Sequence, residues 1–517
     1  MSRKNIENVY SLSPLQEGLL FHALYASQRS VYAVQIGWTL EGALDVDALS
    51  RALAEVLSRH PILRTAFVWE RLDRPMQIVK KQVDLPLERR DLSSIPAAEQ
   101  GRAIARFAES ERLRGFDLTK APLLRFALLE LGPSRHRLIW TMHHLITDGW
   151  SLPLLVKEIF TLHDGYARGD AVTLERPRPY GDYIAWLKKQ DRARTLAFWQ
   201  KELRGFATPT PFRVDHPLGP SAEESRTEER RLVLPEALAR SLSTFARQHR
   251  LTPSTVVQGA WALLLARYSG ERDVLFGATV SGRSAPLPGI DRMIGVFINT
   301  LPVRVGVPAD QPALAWLTDL QRRQAELREH EHSPLVELQG LTEVPRGTPL
   351  FESQVAFENY PEAEALVSEK GKLVLADPAM RSQTHYPITL AVSLRRELVI
   401  HLSYDARRFD AGTIERLLGH YRNLIEALIA ESGRKIGDLP MIAGEERQLL
   451  LSTWNDTATS FSGPRTIAQL FEAQADRTPE AIALVAGERP CRSRPSTGAP
   501  TAWLTISAGW VSAPTRR

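Results

Sequence analysis

MHHLITDGWS, residues 142–151, decides how the rest of the chain is read. Two adjacent histidines, His143 and His144, end the apolar run RLIWTM at 137–142, and Asp148-Gly149 follows within five positions. Neighbouring strand residues point to opposite faces, so one of the two imidazoles faces any given cleft. Imidazole is the side chain best suited to handling a proton near neutral pH. A glycine after the aspartate lets the backbone turn sharply and lets a substrate approach the main chain. A zinc site would want a third ligand nearby, and neither a helical HExxH pattern nor the GxSxG elbow of serine hydrolases is present. Two histidines buried for packing alone are the competing reading; the HHxxxDG spacing at a strand-to-helix turn argues against it.

Outward from this run the chain alternates strand-like and helix-like segments, which predicts a mixed α/β fold. LLRFALLEL (123–131) and RLIWTM read as adjacent strands turning at Gly132-Pro133. A helix is predicted after Gly149, with Ser151 as N-cap and Pro153 in its first turn. Asp45 is expected to cap a helix reaching His60, with Val46, Leu49, Leu53, Val56 and Leu57 on one face. The clearest helix runs from Thr252 (cap) and Pro253 to Gly270 (stop). Strand-like runs follow at 273–280, 296–305, 351–358, 387–394 and 397–404, and a last strong helix spans 412–430. Segments 167–182 and 205–229 are rich in turn formers and read as connectors. Two comparable α/β halves result, 1–175 and 176–445, with no sequence repeat between them.

Composition narrows the class. The chain has 517 residues, 43% hydrophobic and 24% charged, as in ordinary globular proteins, and is too long for one compact core. A single cysteine, Cys491, rules out an internal disulfide and a multi-cysteine metal cluster, and no metal is expected. The formal net charge of +5 is spread thinly, which leaves nucleic-acid binding without support but would favour an acidic protein partner. The N-terminal stretch has no signal-peptide core, and no run approaches the ~18 apolar residues of a membrane span. A cytoplasmic protein with no membrane association, monomeric, is the expectation.

HHxxxDG is the signature of condensation domains of nonribosomal peptide synthetases and of the wider chloramphenicol acetyltransferase-like acyltransferases. The chain resembles that family along roughly 8–440, in the family's motif order. The stretches are SLSPLQEGLLFHAL (11–24), RHPILRTAF (59–67), the histidine motif, YGDYIAWLKKQD (180–191), IGVFINTLPVRV (294–305), HEHSPLVELQG (330–340), LFESQVAFENYP (350–361) and THYPITL (384–390). The resemblance implies two chloramphenicol acetyltransferase-like α/β sandwich lobes in a V. A central tunnel between them would accept phosphopantetheine arms of carrier proteins from both ends. It implies amide formation: the amine of an acceptor aminoacyl thioester attacks a donor peptidyl thioester. No cofactor would be bound by the chain itself.

Carried over residue by residue, His144 faces the tunnel and either accepts a proton from the attacking amine or orients it, while His143 supports the backbone and the imidazole. Asp148 points away and pairs with an arginine, Arg64 first and Arg283 second. Gly149 marks the closest backbone approach, with its N–H near the developing oxyanion. Trp150, Ser151, Asn299 and Tyr386 are expected along the tunnel; a strand-end cap for Asn299 and core packing for the aromatics are the alternatives.

The intact HHxxxDG separates the chain from heterocyclisation domains. The stretch 11–30 contains only His22, without the second histidine motif of dual epimerisation/condensation domains. The wording of the motifs resembles the subtype joining a D-configured donor to an L-acceptor. Because Met1 lies just before the first motif, the donor carrier protein is expected on another, upstream polypeptide, and the acceptor carrier downstream. Residues 446–489 resemble the linker and truncated start of an adenylation domain. From Cys491 to Arg517 there is no acidic residue and no apolar periodicity, so 490–517 is expected to be a disordered, frameshifted tail. A non-catalytic carrier-binding fragment and a stand-alone coenzyme A-dependent acyltransferase are the competing functions.

Overall fold

The computed structural model describes residues 5–25, 30–216, 227–359, 373–381, 384–460, 466–486 and 489–492. The chain divides into two compact units, Met1–Ile442 and Ala443–Arg517.

Among the described residues the first unit contains three sheets. β1 (Ile6–Ser11), β3 (Thr65–Val68) and β4 (Met76–Lys80) form a small antiparallel sheet in the order β1-β4-β3. β2 (Ala33–Glu41), β5 (Leu87–Asp91), β6 (Leu124–Gly132), β7 (Arg135–His143) and β12 (Val374–Arg381) form a five-stranded sheet ordered β12-β2-β7-β6-β5. The six-stranded sheet is β10-β9-β11-β13-β14-β8, built from β8 (Thr227–Leu234), β9 (Asp273–Val280), β10 (Asn299–Gly306), β11 (Ser353–Glu358), β13 (Ile388–Leu394) and β14 (Leu398–Asp405).

Helices cover these sheets because their apolar stripes must be buried. α1 (Pro14–Tyr25), α2 (Val46–Arg59), α3 (Ala97–Leu113) and α4 (Ser151–Ala167) belong to the first half. Asp45 caps α2 as expected, accepting the Ala48 N–H at 2.9 Å. In the second half the Pro253–Ser269 helix starts on a Thr252 cap and stops at Gly270, whose φ is +78°. It is buried nearly all round, beyond the single face its spacing suggested, because it lies between the Ala313–Arg328 and Ala411–Ala430 helices within the second core.

Two features depart from the sequence reading. The helix after Gly149 is not capped by Ser151: that residue is already helical, and the Oδ1 of Asp148 accepts its N–H at 2.9 Å. The halves are also not separate sheets, since β12, from the second half, pairs antiparallel with β2 and completes the first half's sheet. It escaped the sequence reading because it is an exposed edge strand with a register break between Ala376 and Ala379, where an edge tolerates Pro378.

The unit from Ala443 has a Thr466-capped helix, Ile467–Arg477, with a reciprocal Gln469 capping box. A two-stranded ladder follows, β15 (Ile482–Ala486) with β16 (Arg489–Arg492). Residues 490–492 thus lie in a strand rather than a tail; 493–517, the remainder of the expected tail, lie outside the described residues.

Candidate active site

β7 delivers the histidine pair. It lies between β2 and β6, and its last residue, His143, pairs with Ala33 of β2. His143 is 1% exposed; its Nδ1 accepts the Leu145 N–H at 3.1 Å, and the rings of Tyr32 and Phe116 stand edge-on to it. Burial, with His144 adding to it, pushes its pKa down to about 3. An imidazole that stays neutral and accepts a backbone hydrogen bond shapes the turn.

His144 is half-buried, and its backbone N–H donates to the Tyr32 carbonyl at 2.9 Å. Its buried Nδ1 has no hydrogen-bond partner. Burial lowers its pKa, against backbone contacts and the Asp148 charge, which raise it. The imidazole therefore sits neutral at pH 7, able to accept a proton or a hydrogen bond.

The following turn is locked from the second half. Asp148, 1% exposed, receives Arg283 Nη2 at 3.2 Å and the Ser151 hydroxyl at 2.8 Å on Oδ1, and the Phe297 N–H at 3.0 Å on Oδ2. The Asp148 N–H donates to the Gly295 carbonyl at 3.1 Å. Arg283 also donates to the carbonyls of Ile290 and Met293 and lies over the Phe297 ring at 4.2 Å. Both oxygens of the carboxylate are bonded, as a buried charge requires.

This settles the partner of Asp148 as Arg283. Arg64, the first candidate, is a correction: it pairs with Glu7 at 2.7 Å and donates to the carbonyls of Leu57, Ser58, Lys80 and Lys81. The cause is local. Arg64 ends a 3₁₀ turn leading into β3, and β3 pairs with β4, so the guanidinium meets the end of β4 instead of the histidine turn.

Two glycines make the lock possible. At Gly282, φ is +63° and a Cβ would stand 1.8 Å from the Phe297 carbonyl oxygen; at Gly295 a Cβ would stand 2.2 Å from the Tyr180 ring. Gly149, by contrast, has no left-handed φ.

The other expected residues divide. Gly149 and Trp150 are half-buried, five and six positions after His144. Ser151 is fully buried inside the lock and therefore lines no passage, which corrects its expected place. Asn299 is spent on structure: its amide donates to the carbonyls of Glu331 and Ser333 at 2.9 and 2.7 Å, and its Oδ1 accepts the Thr300 N–H, so the strand-end reading holds. Tyr386 is half-buried, stacked on Phe351 and against His385. A hollow of about 430 Å³ on the second half, lined by Lys201, Asp273, Arg304 and Arg323 among others, contains no residue of the histidine motif. No group of three or more potential metal ligands occurs among the described residues.

Sequence reasoning overlooked Gly282, Gly295, Tyr32 and His385. His385 could have been found, since it lies in the THYPITL stretch; nothing in YAVQIGW marks Tyr32.

A family model described as Condensation domain matches residues 6–451. The chain is similar to a component of the linear gramicidin synthase of Brevibacillus parabrevis, 41% identical over 93% of this chain and 6% of that protein. It is also similar to tyrocidine synthase 2 of the same organism, 32% identical over 94% of this chain and 14% of that protein. The chain thus spans a small part of the length of these relatives. Among solved structures it resembles the condensation domain of the Monacolin K polyketide synthase MokA, with a TM-score of 0.70 and 20% identity, covering 84% of this chain and 100% of that one. At that identity the likeness concerns the fold.

Proposed function

The chain belongs to the condensation-domain family, the peptide-bond-forming acyltransferases of nonribosomal peptide synthetases, and from that premise we propose which residues of this chain carry the reaction and on what substrates. The amine nitrogen of an acceptor aminoacyl thioester attacks the carbonyl carbon of a donor peptidyl thioester. The C–N bond forms, the C–S bond breaks, and the donor arm leaves as a thiol. The thioester is already activated, so the protein mainly holds two arms in register and manages one proton.

The observation that carries the assignment is His144: half-buried and neutral, on a turn that is firmly bonded around it. It accepts a proton from the attacking amine or orients it. The Gly149 N–H lies on the same turn and is assigned to receive charge on the carbonyl oxygen. His143, Asp148, Ser151 and Arg283 hold the turn. Trp150 and Tyr386 are assigned to the walls of the substrate passage. The phosphopantetheine arms of an upstream donor carrier and a downstream acceptor carrier are substrates, not resident cofactors.

His144→Ala should lower amide formation at least ~100-fold, the scale of lost acid–base catalysis, with a nearly unchanged melting curve. Turnover as in the wild type would refute the role, and a collapsed melting curve would make His144 a structural residue. A wild-type chain that binds both carriers but forms no amide would favour the non-catalytic reading.

The donor terminus is proposed to be D-configured, on the wording of the motifs. A D-terminal peptidyl carrier should then outcompete its L-epimer, and equal rates would sink the stereochemical claim alone. No helix among the described residues is long and apolar enough to cross a membrane; the cytoplasm is the proposed compartment. Residues 446–489 are proposed to be the start of an adenylation domain and those beyond β16, 493–517, a frameshift product. Deleting 493–517 should then leave condensation unchanged, and reading the other two frames of the DNA checks the shift.

A further inference from the structure

Tyr32 is held in a conformation that its own side chain disfavours. Its φ is +62°, a left-handed value rare for a bulky residue, and such a conformation persists when the surroundings over-determine it. Its two polar ends are both engaged. The carbonyl accepts the His144 N–H at 2.9 Å, and the hydroxyl lies 2.6 Å from Nδ1 of His385. The ring stands edge-on to both His143 and His385.

His385 comes from the other half, three residues ahead of β13 in the six-stranded sheet. Its ring has two close aromatic neighbours: His22 of α1 stacks on it at 3.9 Å and 22°, and Tyr386 lies against it at 3.9 Å. Burial keeps the Tyr32 hydroxyl protonated, and the partial desolvation of His385, whose side chain retains an exposed face, together with the nearby His22 keeps its imidazole neutral. The hydroxyl therefore donates and Nδ1 accepts.

We propose that His385 is a positioning residue for the condensation reaction: through the Tyr32 hydroxyl it clamps Tyr32 in its left-handed conformation, and the Tyr32 carbonyl thereby fixes the backbone of His144. This rests on the catalytic reading of His144 given above. His22 sets the plane of the His385 ring and so serves the same clamp. The second half thus holds both sides of the histidine pair, Asp148 through Arg283 and Tyr32 through His385.

The test uses the full chain with carrier-bound donor and acceptor, in Tyr32→Phe, His385→Ala, the double variant and His385→Asn. Asparagine places Oδ1 near the position of Nδ1 and keeps the acceptor. Tyr32→Phe and His385→Ala should each lower kcat about tenfold with KM for the acceptor carrier unchanged. The double variant should be no worse than the worse single one, and His385→Asn should recover most of the rate. The midpoints of chemical denaturation should show the same shared loss. Wild-type rates in His385→Ala, an asparagine variant as poor as alanine, or losses that multiply would each overturn the clamp. If the wild type itself forms no amide, the parent reading falls separately, and additive shifts in the denaturation midpoints would overturn the hydrogen bond while a shared shift would uphold it.

Discussion

Asp148 shows how much one side chain can hold. Removing its carboxylate strands the buried Arg283 guanidinium, the Phe297 N–H and the start of α4 together. Asp148→Ala should therefore destabilise by ~3–5 kcal/mol, the range for breaking a buried pair by deleting one partner. Arg283→Ala should cost a similar amount, and the double variant should be far less than the sum, because the pair shares one penalty. Arg64→Ala, whose contacts lie at the end of β4, should add independently to Asp148→Ala. Denaturant titrations of the five variants check this; coupling between positions 64 and 148 would contradict the geometry. In the sequence Arg64 and Arg283 were both candidates, since each is an arginine in a recognisable stretch. What separates them is that Arg64 is carried into the nearby β3–β4 hairpin, whereas Arg283, 135 residues beyond Asp148 in the chain, is brought to it by tertiary packing that no local pattern encodes.

At the scale of elements, the loop after β9 must press against the segment before β10 for Arg283 to reach Asp148. Two glycines with left-handed φ in this region make a controlled comparison. At Gly282 a Cβ would collide with the Phe297 carbonyl, whereas at Gly289, φ +77°, a Cβ would meet nothing within 4 Å. Gly289→Ala should cost ~1–2 kcal/mol for the left-handed conformation alone. Gly282→Ala adds a collision with backbone that cannot rotate away, so the cost should exceed that of Gly289→Ala by roughly 1–3 kcal/mol. Equal melting curves for the two variants would show that the loop yields. The strands and helices themselves were largely legible. β6, β7, β9, β13 and β14 follow their apolar runs, and the Pro253–Ser269 helix begins and ends on its cap and its glycine. β12 was not, because an exposed edge strand carrying Asp377-Pro378 has neither alternation nor an apolar run to announce it.

For the molecule as a whole, buried histidines set the response to acid. His143 falls from the ordinary 6.5 to about 3, and burial also lowers His22, His144, His330 and His332. Through that window the unfolded chain binds protons which the folded chain refuses. The stability is present above about pH 6.5 and is lost as pH falls toward 3. Glu17 and Glu331, raised by burial, act in the opposite sense but are outnumbered. The melting temperature should drop by several degrees between about pH 7.5 and about pH 5.5, and a flat or rising profile would contradict it. Read alone, the sequence determined the α/β class, the order of most elements, the family resemblance and the histidine pair at a strand end. All of these are local: periodicity, caps, turn residues and motif spacing are written in neighbouring positions. Only the tertiary structure decided that Arg283 holds Asp148, that Ser151 and Asn299 are struts, that β12 crosses into the first sheet, and that His385 meets Tyr32. Each of these joins residues remote in the chain, where burial and hydrogen-bond satisfaction, not sequence spacing, select the partner.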